Sequence, residues 1–166
     1  VTRRAFGGVL DAQLDLDKYG IGLNLGYASG DDDLDDKEFK TFYFDQNYDI
    51  SLMLFDQVLP TLAPTVSNSS NNGIEQGAAR TGNFIGNAMF VQPRFSYKVS
   101  DSFTPALSAL FARTAQLPEE DAGSENYGVE INLDLNYEPV EKFRLQSKFG
   151  LLFPVVFGRP KNTWNI

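Results

Sequence analysis

The chain has 166 residues, 14 phenylalanines and seven tyrosines, but no cysteine and no histidine, which excludes disulfide frameworks, histidine-based metal sites and Ser-His-Asp or Cys-His catalysis within it. Its formal net charge of −8 argues against a nucleic-acid partner. No run of about eighteen apolar residues occurs, so a helical membrane span is excluded, whereas the negative mean hydropathy leaves a β-barrel open, because barrels place apolar residues only at alternate positions.

Residues 9–17 open a series of period-two segments: Leu10, Ala12, Leu14 and Leu16 alternate with Asp11, Gln13, Asp15 and Asp17. In residues 18–28, Tyr19, Ile21, Leu23, Leu25 and Tyr27 alternate with Gly20, Gly22, Asn24 and Gly26. A long polar connection, 29–87, follows. It begins with the acidic run Asp31-Asp32-Asp33-Leu34-Asp35-Asp36-Lys37-Glu38. Residues 38–44 and 48–55 could add two strands and complete a small eight-stranded barrel, but Asp45-Gln46-Asn47 is a poor membrane-crossing turn. The region is therefore read as part of the long outer loop, with residues 50–55 forming a short helix or loop strand. Residues 61–81, centred on Ser67-Asn68-Ser69-Ser70-Asn71-Asn72-Gly73, are too polar to fold alone and are expected as a mobile outer loop, the alternative being an inward constriction.

The alternation resumes in residues 88–98, where Met89, Val91, Pro93, Phe95 and Tyr97 oppose Phe90, Gln92, Arg94, Ser96 and Lys98; Phe90 is the one apolar residue on the polar side. Residues 103–113 are a weaker segment whose small side chains blur the faces. The clearest segment is 127–137: Tyr127, Val129, Ile131, Leu133, Leu135 and Tyr137 project to one side, and Gly128, Glu130, Asn132, Asp134 and Asn136 to the other. Residues 143–153 set Phe143, Leu145, Phe149, Leu151 and Phe153 against Arg144, Gln146 and Lys148, and the pattern fails at Pro154, beyond which the tail could hold a closing strand.

Segments of this length, with an apolar face edged by aromatics and charges opposite, predict membrane-spanning strands of about 9–11 residues. The connections at 18–20, 99–102 and 138–141 are tight, whereas 29–87 and 115–126 are long, as expected of short periplasmic turns and long outer loops. The predicted fold class is all-β: an antiparallel transmembrane β-barrel, or an arc of a larger one, in a single segment 1–166. Neighbouring strands run in opposite directions. Six strands are fewer than the roughly eight of the smallest membrane barrels, so a carboxy-terminal piece of a larger barrel, or one of several chains completing it, is expected. The start at Val1 suggests a mature or truncated product.

The runs Gly26-Tyr27-Ala28-Ser29-Gly30-Asp31-Asp32-Asp33 and Phe44-Asp45-Gln46-Asn47-Tyr48-Asp49-Ile50-Ser51-Leu52-Met53-Leu54-Phe55 resemble the alginate-export-like porins of Gram-negative bacteria. So do Asn87-Ala88-Met89-Phe90-Val91-Gln92-Pro93, Gly128-Val129-Glu130-Ile131-Asn132-Leu133 and Phe149-Gly150-Leu151-Leu152-Phe153-Pro154, which are similar to the carboxy-terminal part of such sequences. The resemblance implies an outer-membrane barrel of roughly sixteen to eighteen strands, in contact with outer-membrane lipid and lipopolysaccharide, whose lumen passes an anionic polysaccharide or small solutes.

The inward charges are the candidate pore lining: Asp11 and Asp15 on the first segment, Arg94 and Lys98 on the third, Glu130 and Asp134 on the fifth, Arg144 and Lys148 on the sixth. Arg94, Lys98, Arg144 and Lys148 are the expected contacts of a polyanion through charge-assisted hydrogen bonds. Asp134 is expected near Arg144 or Lys148 across the last hairpin. Asp31, Asp32, Asp33 and Asp35 could hold calcium or another divalent ion, or form a solvated outer loop. No other cofactor is expected. Glu119, Glu120 and Asp121, with Glu130 and Asp134, supply carboxylates, but no spacing sets one pair apart for glycoside hydrolysis, so no enzyme is expected. The sequence thus predicts a passive channel in the outer membrane. The alternatives are a non-conducting barrel anchor whose outer loops bind a partner, and a soluble carbohydrate-binding β-sandwich.

Overall fold

In a computed structural model of the chain, residues 2–32, 38–45, 47–55, 85–116 and 126–153 are described. The six predicted segments are strands, β2 (Gly7–Leu16), β3 (Tyr19–Ala28), β5 (Ala88–Tyr97), β6 (Phe103–Thr114), β7 (Asn126–Val140) and β8 (Phe143–Phe153), with β7 longer than expected, and two two-residue strands outside those segments, β1 (Thr2–Arg3) and β4 (Glu38–Phe39), join them. A six-stranded antiparallel sheet runs in the order β2-β3-β5-β6-β7-β8, and β1 pairs with β4 in parallel. No helix and no closed barrel occur among the described residues; the sheet is open, with β2 and β8 at its edges.

The register carries one division of faces across all six strands. Tyr19, Ile21, Leu23 and Leu25 stand opposite Tyr97, Phe95, Pro93 and Val91, and further across the sheet Leu107 faces Leu133, which faces Phe149. This apolar face is open: Leu10 is 60%, Leu107 51% and Leu151 64% exposed. The other face gathers Asp11 opposite Asn24, Asn24 opposite Gln92, Ser108 opposite Asn132, and Asp134 opposite Lys148.

Two sequence expectations are corrected. Tyr127 does not continue the outward aromatic edge of β7. The register slips between Ala112 and Arg113, and Gly128 takes φ 141°, a conformation that side chains other than hydrogen disfavour. The slip lets Tyr127 pack with the polar-side cluster, 5.7 Å from the Phe55 ring, its hydroxyl donating to the Asn87 carbonyl at 3.2 Å. Residues 50–55 form neither a helix nor a strand; they make bends and turns. Their backbone groups bond to side chains of the sheet, which removes the need for a regular ladder.

The core therefore lies on the nominally polar side, where Leu54, Ile85, Ala88, Phe90, Leu110 and Ala112 are buried and Phe44, Tyr48, Ile50 and Phe55 pack against them. Residues 61–81, Glu119, Glu120, Asp121 and the tail beyond 153 lie outside the described residues.

Candidate functional site

The site begins with the glycines of β3. Gly26 pairs with Phe90, and a Cβ at position 26 would overlap the Phe90 ring, so the missing side chain lets that ring lie over the β3 backbone. Phe90 then serves as a platform: the rings of Phe44, Tyr48 and Phe55 each sit 6.4 Å from it. The one apolar residue that broke the sequence alternation is the one onto which the connecting segment folds.

Polar clamps complete the attachment. Asn24 Nδ2 donates to the Tyr48 hydroxyl at 3.2 Å, and Gln92 Nε2 donates to the Ile50 carbonyl at 2.7 Å. The backbone N–H groups of Leu52, Met53 and Leu54 all donate to the Glu130 carboxylate, at 2.7, 3.1 and 2.6 Å. Glu130 is 0% exposed. A buried carboxylate is costly unless its lone pairs are satisfied, and converging amides supply that satisfaction. The expectation that Glu130 contacts a solute is thus corrected: its oxygens are occupied by residues 52–54. Burial of the Tyr48 hydroxyl, opposed by its Asn24 bond, pushes its pKa above the ordinary 10.0, so it stays protonated at neutral pH.

Beneath this segment runs a groove of about 260 Å³, floored by Asp11, Asn24 and Arg94 on one side and by Asn132, Asp134 and Lys148 on the other, with residues 48–52 as its roof. Arg94 Nη2 meets Asp11 Oδ1 at 2.5 Å across the intervening β3. Gly22 makes the reach possible, since a Cβ there would lie 3.1 Å from Arg94 Nε. Lys148, one of the two cations expected near Asp134, stands in register with it, with Nζ 4.0 Å from Oδ1. Arg144 pairs instead with Glu138, and Lys98 with Asp101 at 2.8 Å; neither of these cations lines the groove. Asp15 accepts from Gln13 Nε2 at 2.9 Å and also stands outside the groove.

All four cations expected to hold a polyanion therefore face a carboxylate of this chain. Among the described residues, Asn132 Oδ1 and Asp134 Oδ1 are buried without a hydrogen-bond partner. No family model, curated protein or solved structure matches this chain.

The acidic run is represented by Asp31 and Asp32, since Asp33 and Asp35 lie outside the described residues. Asp31 Oδ2 accepts the Lys40 N–H at 3.1 Å, and Asp32 meets Lys40 Nζ at 2.6 Å. The Lys40 ammonium, aided by Asp32's own backbone, holds that carboxyl below 3.8. Among the described residues no group of three or more acidic side chains is placed to hold a metal ion.

Sequence reading missed Tyr48, Asp49 and the amides Asn24, Gln92 and Asn132 as site residues. The signals available were Phe90 on the wrong face and the glycine run of β3, which together mark a place where something packs on the sheet.

Proposed function

We propose that the chain forms part of the wall of a Gram-negative outer-membrane β-barrel channel, in which residues 44–55 narrow a lumen that passes small hydrophilic solutes by diffusion. The carrying observation is the two-faced sheet: an exposed, predominantly apolar face across six strands, backed by a face of amides and charges. A soluble protein rarely leaves more than a few hundred Å² of contiguous apolar surface bare, whereas lipid covers such a face at no cost. The eight residue steps from Tyr19 to Tyr27 span about 27 Å at about 3.4 Å per residue, close to the apolar band of such barrels.

The open edges, β2 and β8, leave backbone groups that a bilayer cannot satisfy, so on this reading further strands, from the same protein or from other copies, complete the barrel. Lipid and lipopolysaccharide would cover the outside. The paired state of Arg94, Lys98, Arg144 and Lys148 favours small solutes over an anionic polysaccharide, because a polyanion would have to displace the chain's own carboxylates.

The packing of residues 44–55 on the polar face favours a second reading, a non-conducting anchor whose interior is filled. Reconstitution in a planar bilayer separates the two. The channel reading requires stable unitary current steps; insertion into the membrane without steps leaves the anchor.

A further inference from the structure

We infer that the groove beneath residues 48–52 is a binding site for an uncharged, polyhydroxylated solute about the size of one sugar ring. The inference rests on the channel reading for how such a solute arrives, while the chemistry of recognition is local. Asn132 is only 5% exposed, it lines the groove, and its Oδ1 has no donor. A buried oxygen in that state costs about 1–3 kcal/mol until something donates to it. Two positions along β7 on the same face, Asp134 Oδ1 is in the same condition. Lys148 Nζ, at 4.0 Å from that oxygen, is too far to hydrogen-bond to it.

A hydroxyl group fits this arrangement because it donates and accepts at once. Set beside Lys148 it accepts from the ammonium and donates to Asp134, and a neighbouring hydroxyl on the same ring donates to Asn132. Gly150, opposite Asn132, lets the Met53 and Leu52 methyl groups settle beside Asn132 Oδ1 at one end of the groove: a Cβ there would lie 2.8 Å from that oxygen, 3.2 Å from Met53 and 3.3 Å from Leu52.

Charge selects against ionic solutes. On the far wall Arg94 and Asp11 satisfy each other at 2.5 Å, and in the roof Asp49 accepts the Ser51 N–H at 3.1 Å. An anion must compete with Asp11 or Asp134 for the cations, and a cation must compete with Arg94 or Lys148 for the carboxylates. A neutral polyol breaks neither pair. At about 260 Å³ the groove lies near the lower end of small-molecule sites, which suits one ring and not a chain of them.

The test uses the full chain in detergent, with binding followed by saturation-transfer NMR for methyl glucoside, glucuronate and glucosamine. These share a ring and differ in charge. Saturable binding of methyl glucoside, at least tenfold tighter than of either charged sugar, is expected. Asn132→Leu and Lys148→Met are each expected to weaken it at least tenfold, with Lys98→Met, outside the groove, unchanged. The parent protein alone can overturn the inference: absence of saturable glucoside binding, or tighter binding of glucuronate or glucosamine, sinks it. So does retention of full affinity in both groove variants. Because the measurement needs no current, binding without conductance steps keeps the site and removes the channel, whereas steps without binding remove the site alone.

Discussion

Arg94 reaches Asp11 at 2.5 Å over the backbone of a strand to which neither belongs, and it can do so because Gly22 stands between them. The pair places opposite charges side by side on the polar face instead of presenting a row of cations. Any selectivity of a lumen lined this way depends on whether the pairing is intact.

Removing one member of that pair should expose the other. Asp11→Asn is expected to shift the reversal potential in a salt gradient towards anion preference, and Arg94→Gln towards cation preference. Both groups are partly exposed, so stability should change by less than about 1 kcal/mol. Equal shifts in the same direction would show that the pair does not set the local field.

Glu130 accepts three backbone N–H groups from residues 52–54. Glu130→Ala leaves those donors without partners and should cost about 3 kcal/mol or more, against a smaller loss for Glu130→Gln, which keeps one acceptor oxygen. Hydrogen exchange at Leu52, Met53 and Leu54 is the direct readout. Unchanged protection in the alanine variant would mean that the aromatic cluster alone holds the segment.

The aromatic platform makes a separate contribution. Phe90→Ala should destabilise the protein by about 3–5 kcal/mol, typical of a buried phenylalanine, and should raise exchange throughout residues 44–55. Gly26→Val, which sets a side chain against the Phe90 ring, should release the same residues. Denaturant titration in detergent, followed by the same exchange measurement, checks both.

On the apolar face, Leu133→Arg should reduce folding into lipid vesicles by about 2–4 kcal/mol, the cost of a cation near the bilayer midplane. Gln146→Lys, at an exposed position of the polar face, should cost far less. If the two substitutions behave alike in vesicles, the face bearing Leu133 does not meet lipid.

The Asp32 and Lys40 contact supplies a pH signature outside the sheet. Hydrogen bonding to Lys40 holds the Asp32 carboxyl below 3.8, so its contribution is fully present above that unfolded value and is lost as pH falls through the lower folded one. Carboxyl NMR titration should find Asp32 below 3.8 and moving up towards it in Lys40→Met. An unshifted titration would remove the ion pair.

The period-two alternation of residues 9–28, 88–113 and 127–153 determined the strands, their tight hairpins and the sorting of side chains between two faces, because alternation is a local property of extended backbone. It also put Asp134 near Arg144 or Lys148, since a tight turn between β7 and β8 restricts the register, and the structure selects Lys148. Three features were decided only by the tertiary structure. The outward edge residue Tyr127 was turned inward by a slip at Gly128, which alternation alone does not register. The partners of Arg94 and Glu130 lie 83 and 76 to 78 positions away, reached across a glycine in one case and through a folded connection in the other. The region around residues 44–55 was assigned to an outer loop because Asp45-Gln46-Asn47 makes a poor membrane-crossing turn; Phe44, Tyr48, Ile50 and Phe55 pack on the sheet because Phe90, the β3 glycines and a buried carboxylate create a surface that exists only once four separate strands are side by side.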